Sequence, residues 1–419
     1  MRPLVVLPCL AAVLACADAG SPPTGQATVT DSAGITIVQN HSPVWSDGEE
    51  WRVSAEPVLE IGDTTLTGEG RYAMNAARLS DGGVVVVTDV GVRRFGPDGG
   101  FLGWFARQGD GPGEFRWIEN LVVMPGDTIV VGNLMKRGWF APSGSLLRDV
   151  ATDMDKVRAL GRWGECATYL LPDLSMISCQ QDSTVPFTET NRPSRLVSQG
   201  VSSPGPGLLR QLRRQHRISV SMDTTFPLGI DIGIEQQMID LGGGNETSVI
   251  HPFHARSALA AGGTPMRIVS ATNPHWEIEV RSATGQLMRT IRRDGGRRAP
   301  TAAERAAADS VLRRPDGYVS ERDPVLRERI LAAVITPDSL PGHSTVHVTP
   351  GGQILSRQVS WWESSAPSLF DVFDVEGRWL GTLSLPPRFR LIEVGDDYLL
   401  GLQYDDDDVP TLQVFGLER

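Results

Sequence analysis

The sequence predicts an all-β fold, a six-bladed β-propeller of four-stranded blades. Three observations carry this. A short apolar strand, a turn and a second strand recur at about 45-residue spacing. The turns are built from Gly, Pro and Asp, and a second, outer hairpin phrase follows most copies. A repeat of roughly 40–50 residues holding four strands is the unit of a propeller blade.

Composition agrees with one large turn-rich body. The 419 residues include 45 Gly and 29 Pro, with 40% hydrophobic and 21% charged residues, as in a globular chain. The formal charge is −11, and Lys136 and Lys156 are the two lysines among 39 basic residues. A phosphate-binding surface that works by counterion release needs the opposite balance, so nucleic acid is not an expected partner.

Residues 1–16, MRPLVVLPCLAAVLAC, join one Arg to an apolar run too short to span a bilayer as a helix. That is the shape of a secretory signal. It closes on Val13-Leu14-Ala15-Cys16, which resembles the lipobox of bacterial lipoproteins and implies lipid on Cys16, with plain secretion as the alternative. The Gly-, Ser-, Thr- and Pro-bearing stretch 17–33 then reads as a flexible tether. Ala17 is not the inner-membrane-retaining Asp of enterobacterial lipoproteins, which directs the expectation to the outer membrane. The propeller body is assigned to 34–419.

The first-hairpin turns are Ser80-Asp81-Gly82, Pro125-Gly126-Asp127, Pro172-Asp173, Gly262-Gly263, Pro350-Gly351 and Gly395-Asp396. Their flanks are strand-like, for example VVVV at 84–87. The outer phrase reads FGPDGGFLG (95–103), FAPSGSLLR (140–148), RSATGQLMR (281–289) and FDVEGRWLG (373–381), each turning on a Gly. Two gaps between turns are of double length. The first holds SPGPGLLRQLRRQHR, read as a long loop within blade three, with Arg210–Arg217 as a solvated face. The second holds a helical insertion of about 297–334, before the fifth blade. Thr301-x-x-Glu304 is a capping box for an Ala-rich helix to about Arg314. Asp323-Pro324 starts a second helix, with Leu326, Ile330 and Val334 on one face. Residues 387–417 supply only three strands, so the segment around Pro57–Ile61 is expected to add the fourth and close the ring.

Cys166 and Cys179 remain once Cys9 leaves with the signal and Cys16 takes the lipid. If Pro172-Asp173 form a two-residue turn, the pair face each other across a hairpin at a non-hydrogen-bonded position. That allows a disulfide in an oxidising compartment. Two buried thiols are the alternative.

ARQGDGPGEFRWIENLVVMPGDTIVVGN (106–133) followed by FAPSGSLL resembles the NHL-type repeat, and residues 62–101 carry a degenerate copy with Gly68-Glu69-Gly70-Arg71-Tyr72 in the GPGEF place. The whole layout resembles the bacterial six-bladed β-propeller lipoproteins, through DSAGITIV near the start, the helical insert, and GDDYLLGLQYDD with LQVFGL at the end. The resemblance implies the fold and leaves function open, because a propeller hosts binders and enzymes alike.

In a propeller, the loops that open each innermost strand share one face with the loops joining second and third strands. Binding candidates on that top face are Arg71, Tyr72, Glu114, Arg116, Trp117, Trp361 and Trp362. Adjacent strand positions point oppositely, so one of the two neighbouring Trp side chains belongs to the core. The glycines of GPGEF allow left-handed backbone and Phe115 is expected to plug between blades. His251, His254, His343 and His347 are the residue types that hold Zn, Cu or Fe, although no HExxH is present. Asp405, Asp406, Asp407 and Asp408 cluster carboxylates of the kind that hold Ca²⁺, without a Gly-bearing ligand loop, which favours a solvated acidic turn. No cofactor is evident otherwise; no G-x-S-x-G elbow, P-loop or dinucleotide fingerprint occurs. The leading expectation is an envelope-anchored binder of a protein, glycan or small-molecule partner. The alternatives are a metal-dependent hydrolase or lyase like the lactonase-type propellers, with its site in the central channel, and a scaffold that docks through its helices.

Overall fold

The computed structural model describes residues 26–62, 75–159, 169–179, 208–221, 224–242, 245–254, 256–272, 276–314, 319, 321–359 and 366–419. Six sheets follow one another along the chain; each blade's own strands pair antiparallel in sequence order, and strands from the N-terminal segment join the sheets of blades four and six. The chain is a six-bladed β-propeller.

Blade one is Asn75–Arg78, Val84–Thr88, Gly91–Phe95 and Phe101–Phe105. Blade two is Asn120–Met124, Thr128–Gly132, Lys136–Phe140 and Leu146–Ala151. Blade four is Ala258–Gly262, Arg267–Thr272, Glu277–Ser282 and Leu287–Arg293. Blade five is Val346–Val348, Ile354–Arg357, Ser368–Phe373 and Trp379–Leu385.

The unbroken apolar runs have a direct cause. Each second strand is sandwiched between two neighbouring blades, so both of its faces are buried. In blade one, Val84 and Val86 pack with Leu400 and Leu402 of blade six, while Val85 and Val87 pack with Ile129 and Val131 of blade two. The pleat alone sorts them, since successive side chains point to opposite faces.

The outer hairpins share one geometry. Gly99, Gly144, Gly285 and Gly377 all have φ near +80° to +90°, and the ladder slips by one residue just before each turn. Each glycine also lies against the fourth strand of the preceding blade. A Cβ on Gly144 would sit 2.9 Å from Phe105, and one on Gly377 would sit 2.8 Å from Ile291.

Blade three explains the first long gap. Its strands are Tyr169–Leu170, Met176–Cys179, Leu208–Ile218 and Thr225–Gly242, with Asn245–Val249 added at the end. Leu208–Ile218 is therefore a strand laddered to both neighbours and not the loop expected from its arginines. Its whole length pairs with Thr225–Gly242, and Gln215–Ile218 pairs with Met176–Cys179 as well, so the ladder holds it irrespective of its side-chain pattern. The first hairpin differs from a two-residue turn too. Leu174 takes the left-handed position at φ +64°, and Tyr169 stands opposite Ile177. That register is one residue away from the one that placed Cys166 opposite Cys179; Cys166 lies outside the described residues.

Among the described residues three helices accompany the strands: α1 (Met154–Ala159), α2 (Ala302–Arg313) and α3 (Pro324–Ala333). The capping box of α2 is complete: the Thr301 hydroxyl accepts from the Glu304 amide, and the Glu304 carboxylate accepts from the Thr301 amide. Asp323 caps α3, whose first residue is Pro324. Leu312, Leu326, Ile330, Leu331 and Val334 pack on Ile239, Leu241 and Val249. The insertion and the outer strands of blade three thus share a small core of their own.

The N-terminal segment straps the outside of blades four to six. Ala27–Ser32 and Ile35–Asn40 form a hairpin about Ala33-Gly34, with φ +54° and +81°. The first of these strands falls within the segment read as tether. Ile35–Asn40 runs parallel to Leu287–Arg293, so blade four carries six strands. Val44 and Trp45 then donate to the carbonyls of Trp379 and Leu380 on blade five. Leu59–Ile61 pairs antiparallel with Pro410–Glu418, beside Phe389–Val394 and Tyr398–Tyr404 in blade six.

Candidate functional site

The candidate site is the top face, built from the loops that open each innermost strand. Arg71, Tyr72, Trp361 and Trp362 lie outside the described residues, as does Cys16. The clearest part is the loop at 106–119.

This loop is fastened from beneath by Lys136. Its ammonium donates to the carbonyls of Gly111 and Glu114 at 2.9 and 3.1 Å and pairs with Asp149 at 2.8 Å. Asp149 also accepts from the Gly113 amide, and with Lys136 beside it its carboxyl is held below the usual range. Phe115 is wedged between blades one and two, among Val87, Phe105 and Phe140. The Glu114 carboxylate folds back to accept from the Gly111 amide at 2.9 Å. Glu114 is therefore committed to the turn.

Arg116 and Trp117 point elsewhere. Arg116 is exposed and makes a two-toothed bond to Asp110, at 2.7 and 3.2 Å. Trp117 is 41% exposed, with its indole N–H donating to Glu119 at 3.1 Å. Asn133 donates to the Trp117 carbonyl and accepts from the amide of Met135, another exposed side chain. A flat aromatic ring, a guanidinium, a thioether and acceptors thus share one open surface. Such a set stacks on rings and hydrogen-bonds polar groups.

The four histidines do not converge. His251 is fully buried, accepts from the Phe253 amide through Nδ1 at 3.0 Å, and therefore carries its proton on Nε2. His254 Nδ1 accepts from the His251 amide, so this pair organises its own turn. Burial, helped by the nearby His254 and Arg305, pushes His251 down to about 4. His343 lies 4.6 Å from Trp276 by ring centroids, with Nδ1 2.7 Å from the Ser356 hydroxyl. Burial takes His343 down to about 3, and burial with Arg357 takes His347 to about 4. Among the described residues, no group of three or more His, Cys, Asp or Glu is gathered as a metal set would be.

Asp405–Asp408 form a self-bonded turn. Asp405 accepts from the amides of Asp407 and Val409 at 3.0 and 2.8 Å. Arg388, on the loop opening blade six, pairs with Asp406 at 3.3 Å and with Asp408. Their charge is partly answered from within the chain.

Two features escaped the reading of motifs. Lys136 is the pivot of the top loop, and its signal was its rarity among arginines. A cavity of about 100 Å³ lies between the innermost strands of blades three and four, lined by Tyr169, Leu170, Leu259, Ala260 and Ala261. The alanine-rich strand 258–262 was the sign of that space.

The chain matches no family model and no curated protein. Solved structures similar to it include a member of the DUF4221 family from Bacteroides vulgatus, at 10% identity and TM-score 0.46, covering 88% of this chain and 99% of that one. A candidate exported protein of Bacteroides fragilis gives 11% identity and TM-score 0.43, covering 91% and 100%. A gluconolactonase of Xanthomonas campestris gives 13% identity and TM-score 0.36, covering 87% and 96%. Among the described residues, no helix is long and apolar enough to cross a membrane.

Proposed function

We propose that this chain is a binding propeller held in the cell envelope by lipid on Cys16, recognising a partner through its top face. The observation that carries the reading is the exposed Trp117 and Arg116, presented on a loop that Lys136 and Phe115 make rigid. Preorganised aromatic and guanidinium side chains are the usual anchors of recognition surfaces. The lactonase-like alternative would draw metal ligands from several opening loops, and there His251 and His254 spend their Nδ1 atoms on their own turn while His343 Nδ1 sits against Ser356. The scaffold alternative would need free apolar helix faces, and Leu312, Leu326, Ile330 and Leu331 of α2 and α3 are spent on the core they share with blade three, which leaves Val325 as the large exposed apolar side chain of α3.

A photo-crosslinking residue at 117, in cells of the source, tests it. A discrete adduct that disappears with Arg116→Ala supports the reading. Adducts formed equally from a bottom turn, at 142, overturn it. Cys16→Ser should release the protein from the membrane fraction; retention would defeat the lipid anchor.

A further inference from the structure

Away from the top loops, three side chains from distant parts of the chain meet at the rim of blade four. Thr28 is in the outer strand of the N-terminal hairpin, His41 follows its inner strand, and Asp294 follows the fourth strand of the blade. Thr28 Oγ1 is 3.0 Å from His41 Nε2, and His41 Nδ1 is 2.8 Å from Asp294 Oδ2. A carboxylate only accepts, so Nδ1 carries the imidazole proton, Nε2 offers its lone pair, and the Thr28 hydroxyl donates to it. Gln39 donates to the other oxygen of Asp294 at 2.7 Å and fixes that carboxylate. Thr28 is partly open to solvent, and His41 is 21% exposed.

The hairpin register adds a backbone donor. Its two-residue loop makes Ser32 and Ile35 a hydrogen-bonded pair, and such pairs alternate along the ladder. The bond from the His41 amide to the Gln26 carbonyl keeps the same phase. Val29, opposite Val38, is then a non-hydrogen-bonded position. Among the described residues Ala27–Ser32 is the last strand of its sheet, so the Val29 N–H points away from the sheet beside Thr28.

We infer that Thr28, His41 and Asp294 form a nucleophile–base–acid relay for acyl transfer from small esters, independent of the binding face. Thr28 Oγ adds to the acyl carbon as its proton passes to His41 Nε2. The Val29 N–H lies beside the oxyanion. The ester C–O bond then breaks, and the leaving alcohol takes the proton from His41. Water adds to the acyl-threonine, gives its proton to His41, and releases the carboxylic acid as Thr28 recovers its hydrogen. Asp294 holds the ring in the working tautomer. The open rim and the β-methyl of Thr28 restrict the substrate to short, unhindered acyl groups.

The test uses the full chain and p-nitrophenyl acetate. The expected result is a nitrophenol burst with one acetyl group mapped by mass spectrometry to Thr28. Thr28→Val keeps the β-branched shape and removes the burst. His41→Gln slows acylation by roughly 10²-fold or more, the usual range for loss of a general base. Thermal melts of both variants confirm folding, and Thr28→Ser retains acylation. No adduct at Thr28, or an unchanged burst in either Thr28→Val or His41→Gln, overturns the relay.

Discussion

The buried side chain of Asn40 accepts a hydrogen bond from the Trp379 amide at 2.8 Å, joining the N-terminal strap to blade five. Its own amide donates to the carbonyls of Arg292 and Gly377, at 3.1 and 3.0 Å. One side chain therefore ties the strap, the fourth strand of blade four and the outer hairpin of blade five. Removing it leaves buried backbone groups unpaired, each costing about 1–3 kcal/mol. Asn40→Ala should lower stability by about 3 kcal/mol in denaturant titration. Asn40→Asp should be worse, since it places a carboxylate against two carbonyls. A loss under about 1 kcal/mol for Asn40→Ala would show that the strap is held elsewhere.

The outer-hairpin glycines make a second prediction. Gly144→Ala meets two penalties at once: a left-handed backbone at φ +85° and a Cβ 2.9 Å from the ring of Phe105. The first costs about 1–2 kcal/mol and the second about 1–3 kcal/mol. Gly126 also has positive φ but open space around it, so Gly126→Ala should show only the backbone cost. Urea midpoints of the two variants, compared side by side, separate the terms. Equal losses would mean that Phe105 yields freely.

How much of this was legible follows from what each residue type can announce. The blades were readable because a strand buried on both faces must be apolar throughout, as Val84–Val87 are. The two helices of the insertion were readable because Thr301, Glu304, Asp323 and Pro324 are capping residues with local meaning, whereas α1 was not foreseen. Leu174 was opaque: it fills the left-handed turn position that Gly82 and Gly352 occupy in blades one and five, and so shifted the hairpin register unannounced. Leu208–Ile218 and Ala27–Ser32 were opaque because backbone ladders hold them, whereas their side chains read as solvated. The histidines advertised donor type but not depth, and depth decided their role.

Lys136 supplies the third prediction. Its ammonium satisfies two carbonyls and Asp149 and lies 5.2 Å from the centroid of the Phe115 ring. Lys136→Met preserves length and packing but takes the ammonium from the Glu114 carbonyl and leaves Asp149 with only the Gly113 amide and Gly111 with only the Glu114 amide. It should cost about 2–3 kcal/mol, as for one unpaired charged group near the surface. The cost should fall on the loop first. Amide exchange at 109–115 should accelerate more than exchange in the strand Thr128–Gly132. Uniform acceleration across blade two would mean that the loop is not a separate opening unit.

The last prediction concerns acid. Unfolded histidine takes a proton near pH 6.5, whereas His251 in the folded chain does so only at about 4. Between those values the unfolded state binds more protons, so stability must fall as pH falls. The term is fully present above pH 6.5 and is lost progressively towards pH 4, amounting to about 3 kcal/mol for His251. His343 and His347, held down to about 3 and 4, act in the same direction. The groups around His251 are His254 with Arg305 and Asp309 of α2; the first two hold it down and Asp309 opposes them. His251→Asn keeps an acceptor for the Phe253 amide but cannot titrate. It should be less stable than the parent at pH 7.5 through lost packing, yet decline less steeply between pH 6.5 and 4. Urea midpoints across that range read the slope directly. Parallel slopes for the two proteins would show that His251 is already protonated in the folded chain, or reached by water, and would remove the buried neutral imidazole from the account of acid sensitivity.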